Sequence, residues 1–159
     1  MRLVRPAAAV LAALVAAGCA FNASPADGLR FHAPAGWSSS PGIMGLMQFW
    51  HPAADDRQVL MLFKSPKPLK PGDVFSDARM NDTLKDVIVE RRSPIAICQG
   101  QPATYVEARG RSARGDDERV EIVMTNAGGS SYFAMYVRPL VGAPNPMAQA
   151  ALRELCLKS

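Results

Sequence analysis

The chain carries two histidines, and both fall in segments that read as strands: His32 in "GLRFHA" and His51 in "GLMQFWH". Two imidazoles with a carboxylate, here Asp55 or Asp56 of "HPAADD", could hold a divalent metal if the two strands pair. The spacing matches no recognised ligand motif, and histidines at strand edges usually face solvent. Methionine offers softer donors: the thioethers of Met44 and Met47, beside Gly42 and Gly45, would suit monovalent copper in a cell envelope. Met61, Met124 and Met135 sit in alternating or wholly apolar runs, where methionine fills irregular cores. The expectation is a chain without cofactor or metal. A small-molecule or copper-type site built from His32, His51, Met44 and Met47 is the alternative.

Nucleophilic chemistry has less to work with. There is no G-x-S-x-G elbow, P-loop, G-x-G-x-x-G or H-E-x-x-H. With two histidines, any Ser-His or Cys-His pair would need His32 or His51, and no serine stands in a nucleophile context. Trp37, Trp50, Tyr105, Tyr132 and Tyr136 could line a groove, yet most read as core. The expected function is noncatalytic.

Fixed positive charge is the remaining recognition chemistry. Lys64, Lys67 and Lys70 occupy one stiff, proline-rich stretch, "KSPKPLKPGD", while Arg109, Arg111 and Arg114 surround one hairpin. Converging cations would suit an acidic protein partner or anionic headgroups, although Asp116, Asp117 and Glu118 dilute the second cluster. The charge balance gives no case for nucleic acid. Taking Arg2 and Arg5 from the 18 basic side chains leaves 16 against 14 acidic ones.

Those two arginines precede the apolar run Ala7 to Ala17, eleven residues that are too short for a bilayer core of about 30 Å. A positive start, a short apolar middle and a small-residue exit make a secretory signal. Ala16-Ala17-Gly18-Cys19 resembles the bacterial lipobox, in which the cysteine is lipidated and becomes the new N-terminus; Ala16 stands where leucine is commoner. The resemblance implies a signal over 1–18, a lipidated tether over 19–27 and one domain over 28–159. It also implies a periplasm-facing envelope protein on the outer membrane, if there is one, because Ala20 is not aspartate. The alternative is cleavage after Ala20 and a soluble secreted or periplasmic chain.

With Cys19 lipidated, Cys98 and Cys156 form an even pair in an oxidising compartment. In "NPMAQAALRELCLKS", Asn145 can cap a helix and Pro146 fits its first position. Ala148, Ala151, Leu152, Leu155 and Cys156 then form one helical stripe that turns the thiol inward. Cys98 ends the apolar strand "PIAIC", so the expected disulfide staples the last helix to a sheet. Two buried free thiols are the alternative.

Elements must position these groups. After the first two strands, "QVLMLFK" (58–64) is apolar on both alternating faces, as a covered central strand would be. Pro71-Gly72-Asp73 is expected to open a helix running to about Asp86. "VIVERR" and "PIAICQ" flank Pro94 as a bent or interrupted strand. "ATYVEARGR" (103–111) and "ERVEIVMTN" (118–126) alternate around a polar hairpin loop, and Gly128-Gly129 turns into "SYFAMYVRP" (131–139). The expected fold class is α+β: an antiparallel-rich sheet covered by helices, an α/β/α sandwich.

"GLRFHAPAGW" looks like the opening of the PsbP-like fold. The helix expected after "MLFKSPKPLKPGD", the "QPATYVEARG" and "SSYFAMYVRP" strands and the closing helix follow the same scheme, over roughly residues 28 to 157. Members include an extrinsic photosystem II subunit, a nuclear-import factor that binds a small GTPase, and bacterial lipoproteins. They share a scaffold rather than a reaction. The resemblance implies a binding or accessory role with a protein partner, and it supplies no catalytic residues.

Overall fold

The computed structural model describes residues 29–42, 46–73, 84–98 and 100–157. Seven strands form one antiparallel sheet: β2 (Trp37–Pro41), β3 (Met47–Pro52), β4 (Val59–Ser65), β5 (Leu84–Ile97), β6 (Gln101–Ser112), β7 (Asp117–Ala127) and β8 (Ser130–Pro139). Their spatial order is β2-β3-β4-β8-β7-β6-β5. A separate two-stranded ribbon pairs β1 (Leu29–Arg30) with β9 (Cys156–Leu157). Between β8 and β9 lies α1 (Pro146–Arg153).

The β4, β8 and β7 strands are the centre, and alternation sorts their side chains onto two faces. Leu60, Leu62, Val123, Ala134 and Tyr136 join Ala148, Ala151, Leu152 and Leu155 on the face that α1 covers. Val106, Val120, Ile122, Met124, Phe133, Met135 and Val137 form a second cluster on the opposite face, with Leu69, Leu84 and Val87 against it. Because β8 is covered on both sides, Ser131 through Arg138 are all buried. Its run of apolar residues follows from that position.

The terminal helix forms as its sequence dictates. The Asn145 side chain accepts from the backbone N–H groups of Met147 and Ala148, and Pro146 occupies the first turn. Burying Leu152 and Leu155 contributes about 2 kcal/mol each. The stripe stops short of the cysteine, however. The helix ends at Arg153, and Cys156 lies in β9 rather than on the helix.

The expected α+β sandwich covered by helices is overturned. The molecule is mainly antiparallel sheet with a single short helix among the described residues. The helix expected over Asp73 to Asp86 lies mostly outside the described residues, and its last three positions, Leu84, Lys85 and Asp86, begin β5. Pro94 does not interrupt that strand, because β5 is an edge with no neighbour to receive the missing N–H. The irregularities sit earlier, at Lys85/Ile88 and Val89/Arg91. The "GLRFHA" strand shrinks to Leu29–Arg30 and joins the ribbon instead of the main sheet.

The hairpin prediction holds. β6 and β7 pair in register from Thr104↔Met124 to Arg111↔Asp117. Gly128 and Gly129, at φ of 55° and 76°, make the next turn, where a side chain would be strained.

Candidate functional site

The register divides the sheet into two ends. Ser65 and Ser131 face each other at one, where β8 begins; Glu118 and Pro139 face each other at the other, where β8 finishes. The first is the disulfide end: Cys98 and Cys156 are bridged there, with Cα atoms 5.7 Å apart. The second is the hairpin end, where the 52–58 turn, the 112–117 hairpin and the 139–145 loop meet.

At the hairpin end, three contacts hold the 139–145 loop. Leu140 N–H donates to the Asp117 carbonyl at 2.9 Å, and Asn145 N–H donates to the buried Tyr136 hydroxyl at 3.0 Å. Arg138 Nη1 donates to the Gly142 carbonyl at 3.2 Å. Tyr136 in turn donates to Gln58, whose amide donates to Asp55. Hydrogen bonds from Gln58 and Arg57 hold the Asp55 carboxyl below its ordinary range. Burial pushes the Tyr136 phenol up. Burial and the nearby Asp116 charge also raise Glu118. The result is a fixed loop whose tip, Val141, is 88% exposed.

Two shallow hollows flank this loop. One, of about 150 Å³, is lined by Asp55, Arg57, Gln58, Arg138, Val141 and Gly142 among others. The other, of about 160 Å³, is lined by Asp86, Ile88, Arg109, Arg111, Asp117 and Leu140. Ile88 is half exposed beside the second. The surface therefore presents apolar side chains set among charges of both signs.

Beneath it, between α1 and the sheet, lies a polar network that the sequence reading missed. Glu121 is buried at 4% exposure and accepts from Tyr105 Oη and from Gln149 Nε2, all at 3.0 Å. Arg138 Nε lies 3.7 Å from the same carboxylate and makes no hydrogen bond. Burial, then the Glu121 charge, pushes the Tyr105 phenol far up. Alternation did place Glu121 between apolar neighbours in "RVEIV", which was the available signal. The network fixes Gln149 of α1 against β7.

The expected site residues do not converge. His32 is exposed, 3.9 Å from Glu154 on the α1 face. His51 follows Trp50 of the α1-side core, so strand alternation puts it on the other face, its Nδ1 buried without a partner. The two histidines of the alternative metal reading thus lie on opposite faces. Met47 is half-buried opposite Phe63, and Met44 lies outside the described residues. Among the described residues no three His, Cys, Asp or Glu groups cluster as metal ligands.

The two basic clusters sit at opposite ends. Arg109 pairs with Glu90 at 3.2 Å, and Arg111 lies 3.8 Å from Asp86 and 3.7 Å from Asp117, so these arginines belong to a mixed-charge surface. Lys64 stands 5.5 Å from the Tyr132 ring centroid at the disulfide end, with Lys67 and Lys70 exposed on the loop that follows. The Cys98–Cys156 bridge forms as expected. Cys19 lies outside the described residues.

No family model matches the sequence, and no curated protein sequence matches it. Solved structures do match in fold. A Bacteroides thetaiotaomicron protein superposes with a TM-score of 0.57 at 13% identity, covering 86% of this chain and 47% of that one, so this chain spans about half its length. Cyanobacterial PsbP (CyanoP) of Synechocystis gives 0.51 at 13% identity, over 72% of this chain and 76% of that one. A point mutant of the protein Mog1 gives 0.51 at 11% identity, over 81% and 80%. Likeness at these identities is one of fold alone, and the fold is similar to that of PsbP.

Proposed function

We propose that this is a noncatalytic cell-envelope protein, anchored by a lipid on Cys19, that docks a protein partner on the hairpin end of its sheet. One observation carries the docking role: Val141, 88% exposed, tops a loop that hydrogen bonds fix on both sides. A rigid apolar tip loses little conformational entropy on binding, and exposed apolar residues rimmed by polar ones mark interaction surfaces. Ile88 and the two hollows extend the patch, and Arg109 and Arg111 with their acidic neighbours give it polar partners. The accessory roles of PsbP-like scaffolds agree with this reading.

The envelope assignment is supported by Cys98–Cys156, since disulfides persist in oxidising compartments. It is supported equally by the arginine-led apolar run ending on Gly18-Cys19. With Ala20 rather than aspartate after the cysteine, the reading favours the outer membrane, facing the periplasm, where two membranes exist.

The test is a photo-crosslinking amino acid placed at position 141 in cells. A discrete protein adduct is expected there, lost when Ile88→Asp is added, and absent when the crosslinker stands at position 66. The same adducts from both positions, or none from 141, would refute the docking surface.

A further inference from the structure

We propose that the disulfide end of the sheet lies against an anionic membrane surface through Lys64, Lys67 and Lys70, leaving the hairpin end facing outward. Three observations converge on that end. The first is chain geometry. Leu29 pairs with Leu157, whose N–H donates to Gln101, and Gln101 in turn donates to Thr125. Thr125 faces Tyr132, which faces Lys64. Leu29, the first described residue, therefore sits at the end of the domain where the lysines are.

The second is that the lysine loop is built, not loose. Leu69 N–H donates to the fully buried Ser131 hydroxyl at 2.7 Å, and Asn126 Nδ2 donates to the Leu69 carbonyl at 3.3 Å. Asp73 N–H donates to the Lys70 carbonyl at 2.9 Å, and Arg92 reaches the Pro71 carbonyl at 3.4 Å. With two prolines between Lys64 and Lys70, the ammonium groups are carried on a stiff frame.

The third is charge. Among the described residues, none of the three lysines takes part in an ion pair, whereas Arg109 and Arg111 at the opposite end both do. Leu46, an exposed apolar residue, accepts from the Lys64 N–H at 2.9 Å. Cations that make no ion pair among the described residues, near an exposed apolar residue, suit the headgroup layer of an anionic bilayer.

This orientation rests on the anchored reading, because the tether would hold that end near the surface. The basic patch adds electrostatic attraction to the hold of the acyl chains. The experiment separates the two readings. The full chain with Cys19→Ser, which removes the lipid, is mixed with phosphatidylglycerol or phosphatidylcholine vesicles and sedimented. Lys67→Ala with Lys70→Ala should lower partitioning onto phosphatidylglycerol by about thirtyfold at low salt, from the attraction each basic residue contributes. Arg109→Ala with Arg111→Ala should leave it nearly unchanged, and phosphatidylcholine binding should be alike for all three. Equal losses from both pairs, or none from the lysine pair, would overturn the proposal. So would loss of an acidic protein's crosslink to position 67 with vesicle binding unchanged, which would give the face to that protein. Absence of lipid on native Cys19, read by mass, would remove the anchor while leaving the vesicle result standing.

Discussion

Replacing both bridged cysteines, Cys98→Ala with Cys156→Ala, should lower stability by about 4 kcal/mol. The bridge spans 58 residues, enclosing β6, β7, β8 and α1, and closing a loop that long restricts the unfolded chain by about that amount. For a domain of this size each kcal/mol moves Tm by about 3–4 °C, so the expected fall is about 15 °C. A local effect should accompany it. The β1–β9 ribbon has two residues per strand, far below what pairs stably alone, so the bridge is its principal clamp. Scanning calorimetry of parent and double variant measures the first effect, and amide exchange at Leu157 measures the second. A fall under about 3 °C with Leu157 still protected would refute the reasoning. It would mean that Leu155 and Leu157 hold β9 by packing alone.

The remaining predictions concern the buried polar seam and, for contrast, one partly exposed ion pair. Glu121→Ala should cost about 3–4 kcal/mol in urea unfolding, since it strands Arg138, which is 8% exposed. Glu90→Ala, a third exposed, should cost under about 1 kcal/mol. Tyr105 gives the pH dependence: its phenol is raised in the folded state, so its contribution is complete below the unfolded value near 10 and is lost as pH rises beyond it. Tyr105→Phe should therefore flatten the loss of stability between about pH 10 and 11, and an unchanged alkaline limb would contradict the assignment.

The sequence was most legible where local rules and tertiary position agreed. The β6–β7 hairpin, the Gly128-Gly129 turn and the Asn145-Pro146 helix start all follow from local chemistry, and all three are present. The cysteine pairing was legible once the N-terminal sequence was read as an export signal, which implies an oxidising compartment. What failed depended on distant partners. Leu84 and Lys85 look helical in isolation but pair as strand with Ser112 and Arg111, and Asp86 takes a left-handed φ of 53° at the irregularity that follows. Cys156 continues a helical stripe in sequence, yet the chain leaves the helix after Arg153 to pair with Arg30. For the site, residue type alone could not tell which cations stay unpaired. Arg109 meets Glu90 from a strand 19 positions earlier, whereas the lysines meet no such neighbour among the described residues. The Val141 tip was invisible because its exposure is defined only by the folded loop.

The central claim is an exported, anchored domain with its disulfide closed. Intact mass spectrometry of the native protein, extracted from membranes without reductant, tests it most directly. The expected species begins at Cys19, carries acyl chains on that residue and has no free thiol at Cys98 or Cys156. A chain that still begins at Met1 with three free thiols, or one that begins after Ala20 with an unmodified amine, would contradict it.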